Sequence, residues 1–288
     1  MAAPRSGKVP AGAGTGPTTD PALYSVIPPA SLAASGAVDL PNSARMVDFF
    51  LGGDANFEAD RDAAALLLRA DPLGTERVRA NRAFAVRALR WCARRGFDQF
   101  LDLGCGIPSV ASTHRTVQGV NTAARVAYVD VDPVAVSHAE AFVAHVPGVS
   151  VTRADLGRPD EVLSSPGVVD VLDLRRPVVV MSSGAPHWVP GDLAAIVAGY
   201  RGAVAPGSAL VLSQRTRDNA DPATRLVFEA EMERAIAPMV LRTRAEVVAA
   251  FDGFELVPPG VVDVAHWSTV VPRPDPMSYW GAIGLLPG

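Results

Sequence analysis

The sequence predicts a doubly wound α/β fold, and three observations carry the prediction. From Gln99 onward, runs that are apolar throughout rather than alternating recur at 100–103, 126–129, 149–152, 178–181 and 209–212. Strands of that composition suit a parallel sheet buried on both faces. Helical or loop segments separate the runs, as crossovers between parallel strands require. The first run also flows into Gly104-Cys105-Gly106-Ile107-Pro108. Two glycines one residue apart let a strand end approach a ligand closely.

Taken in order, residues 1–40 are rich in Gly, Ala, Pro, Ser and Thr without a sustained period. That composition does not repay the entropy of ordering, so a flexible tail is predicted. Within it Tyr24, Val26 and Ile27 form a small apolar island, either loose or docked onto the body. Structure is predicted to start at Pro41, with Ser43 capping a short helix that Gly52-Gly53 ends. An alanine- and leucine-rich helix then stops near Asp71-Pro72. A third helix spans 75–95, with Val78, Phe84, Ala85, Ala88, Leu89 and Cys92 as its apolar stripe. Residues 41–98 thus read as a helical segment ahead of a sheet domain at 99–288.

Between the strands, helices are predicted over 113–120, 133–146 and 192–203, the second capped by Asp132 with Pro133 in its first turn. A polar link at Arg215-Thr216-Arg217-Asp218-Asn219 precedes helices over 224–235 and 244–251 and a strand over 254–257. Segment 261–267 extends or partners that strand. The last strand is predicted over 279–286, after a loop marked by Pro272, Pro274 and Pro276.

Composition narrows the function classes. Hydrophobic residues at 49% and charged ones at 19% describe a globular chain. A net charge of −4 offers no general basic footprint for nucleic acid. The two cysteines, Cys92 in a helix and Cys105 in the glycine turn, make neither a disulfide framework nor a metal site, which suits a cytoplasmic protein. No apolar run approaches the roughly 18 residues that span a bilayer, and the N-terminus lacks the order of a secretory signal.

The chemistry is expected at the strand ends. Asp102 precedes the glycines, Asp130 ends the second run 24 residues after Gly106, and Asp155 follows the third. The glycine turn alone suits a bare strand-to-helix turn or any nucleotide, but Ile107-Pro108 stands where a dinucleotide fingerprint continues toward its third glycine. Three carboxylates at successive strand ends face one edge of the sheet. There Asp130 could accept ribose hydroxyls, and Asp155 the exocyclic amine of an adenine.

The order Leu101-Asp102-Leu103-Gly104-x-Gly106, Tyr128-Val129-Asp130-x-Asp132-Pro133 and Ala154-Asp155-Leu156, with Ala205-Pro206-Gly207-Ser208 before the fifth strand, resembles class I S-adenosylmethionine-dependent methyltransferases. Asn42-Ser43-Ala44-Arg45-Met46-x-Asp48, with Leu51-Gly52-Gly53-x-x-Asn56-Phe57-x-x-Asp60-Arg61, is similar to an actinobacterial family of such enzymes long classed as a domain of unknown function. The resemblance spans residues 41–286.

It implies a Rossmann-like seven-stranded methyltransferase sheet, order 3-2-1-4-5-7-6 with the last strand antiparallel, under an N-terminal helical cap. S-adenosylmethionine would lie across the carboxyl ends of strands 1 and 4. Asp102, Gly104 and Gly106 would line its methionine and ribose, Asp130 its ribose hydroxyls, and Asp155 with Leu156 its adenine. Val131 and Ser182 complete the cofactor-binding set, and Arg45, Asp48, Asn56, Asn81 and Arg82 are candidates from the covering helices. Either Arg45 or Arg82 suits the cofactor's carboxylate. His114 either bonds that carboxylate or caps its helix. His187 is the candidate base if the acceptor must lose a proton, and otherwise fixes a loop. Trp188 either packs an acceptor or forms a buried wall.

One departure from the family stands at Met181-Ser182-Ser183-Gly184-Ala185-Pro186-His187-Trp188, where hydroxyls and a proline replace aliphatic residues. The expected activity is methyl transfer to a small molecule of specialised metabolism. Cyclisation, aminocarboxypropyl transfer and non-catalytic sensing of the cofactor are the alternatives.

Overall fold

The computed structural model describes residues 39–108, 111–218, 222–268 and 276–288. The apolar island at Tyr24, Val26 and Ile27 lies outside them, as do Pro272 and Pro274.

Among the described residues three helices precede the first strand: α1 (Ser43–Leu51), α2 (Glu58–Ala70) and α3 (Gly74–Arg94). The cap of α1 is Asn42 rather than Ser43: its side chain accepts from the Arg45 amide, and Ser43 is already helical. Gly52 ends α1 in the left-handed region at φ 86°. The α/β alternation follows as β1 (Gln99–Leu103), α4 (Thr113–Gln118), β2 (Arg125–Asp130), α5 (Pro133–Val143) and β3 (Val149–Arg153). Asp132 caps α5 by accepting from the Val134 and Ala135 amides, as predicted. Two short helices, α6 (Pro159–Leu163) and α7 (Pro166–Val169), lead to β4 (Val179–Ser183) and a 3-10 turn at Pro186–Trp188. Then come α8 (Leu193–Ala203), β5 (Ala209–Arg215), α9 (Pro222–Ala235) and α10 (Arg244–Ala249). The chain closes with β6 (Glu255–Leu256), β7 (Val262–Asp263) and β8 (Tyr279–Leu285).

The strands form one sheet in the order β3-β2-β1-β4-β5-β8-β6, with β7 paired to β8. The first five are parallel and β8 runs antiparallel to β5. With β8 in the seventh place this is the expected order, plus one strand. The segment predicted to extend or partner β6 instead pairs with β8, Val262 with Gly281 and Asp263 with Trp280, beside the β6 pair Glu255 and Leu285. Strand order reverses between β1 and β4, so their carboxyl ends open a crevice.

The sheet is buried on both faces. Phe84, Leu89 and Cys92 of α3 pack with Phe100, Val126 and Tyr128 on one side. Leu101, Leu103, Ala127 and Val129 meet Leu193 and Val197 of α8 on the other. Burying each large apolar side chain is worth about 1.5–3 kcal/mol, so α3 is part of the sheet's own core rather than a detachable cover. A separate cluster joins Met46 and Phe50 of α1, Ala64 and Leu67 of α2, and Phe228 and Met232 of α9. Among the described residues no helix is long and apolar enough to cross a membrane.

Candidate functional site

A cavity of about 290 Å³ sits at the reversal point, with Asp102, Asp130 and Asp155 in its lining. Its floor is the glycine turn. Gly104 has φ 74°, and a Cβ there would lie 2.2 Å from the Ala185 Cβ, so the close approach of the two loops requires glycine. Gly106, also left-handed at φ 60°, donates its amide to Asp130 Oδ2 at 2.8 Å. Asp130 Oδ1 accepts from the Asp132 amide at 3.0 Å. The second strand end thereby fixes the turn after the first, and a carboxylate with about four lone-pair sites keeps acceptor capacity for a ligand.

Asp102 accepts from Thr113 Oγ1 at 2.6 Å. Burial pushes its carboxyl up to about 6, opposed by the Thr113 bond and the Arg82 charge. Burial also raises Asp130, against its backbone hydrogen bonds. Asp155 takes the Gly157 amide at 2.8 Å and shapes the turn after β3, while the Leu156 carbonyl accepts from Tyr200 at 2.8 Å.

Ser43, Ala44 and Val47 of α1 and Arg82 of α3 complete the lining from above. This roof is tied down at the start of α1. Asn42 donates its side-chain amide to Asp132 and its backbone amide to Asp60 at 2.8 Å.

A second chamber of about 90 Å³ adjoins the first and shares Ser43, Val47, Arg82, Ser183, Gly184 and Trp188 with it. Phe50, Leu67, Phe228, Met232 and Met239 give it apolar walls, and Asn81, His187 and Arg215 supply polar groups. His187 is 4% exposed, and among the described residues its Nδ1 has no hydrogen-bond partner. Burial, with the nearby Arg215 and Arg242 charges, pushes its imidazole down to about 3, so it is neutral at physiological pH. Arg215 pairs with Asp71 at 2.7 Å, and Arg77 holds the other oxygen of Asp71 at 2.6 Å.

The structure gathers most of the predicted site. Asp102, Gly104, Gly106, Asp130, Val131, Asp155, Leu156 and Arg82 line the larger cavity. His187 and Asn81 line the chamber, and Trp188 lines both. Five predicted residues fall elsewhere. Ser182 points away from both spaces and donates to the Leu103 carbonyl at 2.9 Å, whereas its neighbour Ser183 faces them. His114 is buried, with its amide and Nδ1 both on the Tyr128 hydroxyl at 2.8 and 2.9 Å. Arg45 is buried in an ion pair with Asp60 at 2.7 Å and with its guanidinium over the Phe57 ring. Asp48 and Asn56 bond each other at 3.0 Å.

Sequence reasoning missed Arg242. Its buried guanidinium donates to the carbonyls of Pro186, Val189 and Gly191, each at 2.9 Å. It thereby holds the loop that carries His187 and Trp188. The pattern gave no local sign of it, because Arg242 and its partners are more than 50 residues apart.

A doubly wound sheet whose switch-point cavity is ringed by strand-end carboxylates and floored by a glycine turn defines a protein of the Rossmann-like, nucleotide-cofactor class. Within that class the chain belongs to the S-adenosyl methyltransferase family, which it matches over residues 31–285. Its structure is similar to that of a candidate methyltransferase from Thermobifida fusca YX, with 36% identity and a TM-score of 0.83 over 92% of this chain and 100% of that one. A DUF574 family protein from Streptomyces avermitilis MA-4680 shares 33% identity with a TM-score of 0.82, over 87% and 99% of the two chains. An O-methyltransferase family protein from Burkholderia thailandensis, 14% identical with a TM-score of 0.51, shares the fold over 90% of this chain and 68% of that one. No match was found among curated proteins.

The chain is therefore an S-adenosylmethionine-dependent methyltransferase, and the cavity fits that cofactor chemically. Carboxylates are present for its hydroxyl and amine donors, and the backbone approaches closely where a Cβ at Gly104 would clash.

Proposed function

We propose that this chain methylates a small, largely apolar acceptor held in the 90 Å³ chamber. One observation carries the reading: the chamber and the carboxylate-ringed cavity share six lining residues, so an occupant of one lies beside an occupant of the other. We assign Asp130 to the ribose hydroxyls, Asp155 and Leu156 to the adenine, Val131 to packing beside it, and Asp102 with the glycine turn to the methionine end. Arg82, lining both spaces, suits the cofactor's carboxylate. The helical roof of 41–98 supports exclusion of water. Two free, buried cysteines support a reducing compartment.

Bound S-adenosylmethionine would supply an electrophilic methyl group. The residues of this chain align the acceptor with it and keep the site dry, which are the main requirements of an in-line displacement. His187, neutral and with an unpartnered Nδ1, orients the acceptor through a hydrogen bond. An imidazole held near 3 is too weak a base to remove a proton from an alcohol.

Incubation with methyl-labelled cofactor and a host metabolite extract tests the reading. A labelled product of low mass with equimolar S-adenosylhomocysteine is expected. Release of methylthioadenosine would point instead to transfer of the aminocarboxypropyl arm. Tight cofactor binding without turnover would mark a sensor.

A further inference from the structure

Behind the chamber lies a narrow cleft of about 20 Å³ that shares Asp71, Arg215 and Phe228 with it. Among the described residues the lining of this cleft carries three guanidinium groups, those of Arg77, Arg215 and Arg225, and the Asp71 carboxylate. Both oxygens of Asp71 are already taken, one by Arg77 and one by Arg215. Glu229 forms an ion pair with Arg225, but at 3.7 Å from Nε it is beyond hydrogen-bond reach. Among the described residues three buried donors around the cleft have no hydrogen-bond partner: Arg77 Nε, Arg225 Nε and Ser278 Oγ. Ser278 is 2% exposed. Buried donors of this kind are costly to leave unmade, and charged ones most of all.

The geometry points to an anion-recognising pole at the far end of the acceptor chamber, so that the methyl acceptor is a largely apolar carboxylic acid. The inference rests on the reading that the chamber holds the acceptor. A planar carboxylate matches the fork of a guanidinium. Arg215 links the two spaces: its guanidinium lies 4.1 Å from the Phe228 ring centre and 5.7 Å from that of Tyr279, both chamber walls. The acid would lie with its carboxylate among the arginines and its reacting atom toward Arg82, Ser183 and Gly184, where chamber and cofactor cavity meet.

The test is ligand-dependent melting of the full chain at constant ionic strength, with benzoate, benzamide, benzylamine and inorganic phosphate as probes. Benzoate should bind about tenfold more tightly than its neutral isostere benzamide, and benzylamine should not bind. Arg225→Gln and Ser278→Ala should each weaken benzoate, the former about tenfold, and leave cofactor affinity unchanged. Equal binding of benzoate and benzamide, or benzoate binding indifferent to both variants, overturns the proposal. So does phosphate binding that depends on Arg225 but does not compete with benzoate, since the cleft would then serve a free anion. Met232→Trp, which fills the chamber, should abolish benzoate binding; benzoate that still binds places the acid outside the chamber and overturns the proposal as well. Failure of S-adenosylmethionine to bind the wild type would sink the cofactor assignment, while the benzoate comparison would still be read on its own.

Discussion

Replacing Asp102 with asparagine should make the ligand-free protein more stable at neutral pH. The carboxyl is 4% exposed, and burial pushes it from 3.8 to about 6. A displacement of roughly two units, at 1.36 kcal/mol each, gives a cost of about 3 kcal/mol for holding the charge in the folded state. Because the folded value lies above the unfolded one, the native state binds more protons between about pH 4 and pH 6. The group's favourable contribution is therefore complete below pH 4 and lost as pH rises through 6. The asparagine variant escapes that loss. At pH 7.5 it should melt about 6–12 °C above wild type, taking about 2–4 °C per kcal/mol, and at pH 4 the gap should close. Paired melts at pH 4, 5, 6 and 7.5 isolate this one group from every other carboxylate. A gap independent of pH, or a variant less stable than wild type at pH 7.5, would refute the reasoning. Cofactor should reverse the ranking, since its cation favours the ionised carboxylate. Calorimetry at pH 6 in two buffers of different ionisation enthalpy should show more proton release on binding by wild type than by the variant.

Three further outcomes follow from the site's geometry. Gly104→Ala places a Cβ 2.2 Å from that of Ala185 at a φ of 74°; it should lose about 1–3 kcal/mol of stability in urea unfolding, with weakened cofactor binding, and an unchanged midpoint would contradict the close approach. Arg242→Met leaves the carbonyls of Pro186, Val189 and Gly191 without their donor; a loss of about 3 kcal/mol is expected, and a variant within 0.5 kcal/mol would show that the loop stands without it. His187 is held near 3, so kcat/KM should show no limb between pH 6 and 8 that depends on it; an inflection near 6.5 that disappears in His187→Gln would restore it as a base.

The features legible in the sequence are those with a local code. Apolar runs marked the parallel strands, Gly52 marked a helix end, and Asp132-Pro133 marked a helix start, each within a few residues of its cause. Asn42 and Ser43 are both good caps, so the sequence could not choose between them. Ser182 and Ser183 show the limit more sharply. Successive strand residues point to opposite faces, so an error of one residue exchanges a ligand-facing hydroxyl for one bonded to Leu103. His114 and Arg45 had plausible roles until partners distant in sequence claimed them, Tyr128 across a strand and Asp60 on the next helix. The Arg215–Asp71 pair joins residues 144 positions apart and had no local signature. The strand segment at 261–267 was legible, but two paired residues carry no register, so its pairing with β8 rather than with β6 was not.

The two spaces of the site are built from different parts of the molecule. Strand ends and the glycine turn make the carboxylate cavity, where Asp130 and Asp155 accept backbone amides and a methyl added at Gly104 collides. Much of the chamber's apolar wall comes from α1, α2 and α9, which form a cluster of their own beyond the sheet core, with Met46 and Met232 among its buried residues. Methionine's flexible thioether adapts to new shapes at little cost. A change of acceptor can therefore be accommodated by substitutions on these helices while the carboxylate cavity stays as it is. The scaffold separates what must stay constant for the reagent from what is free to drift with the substrate, and laboratory evolution of new acceptors should begin on α9.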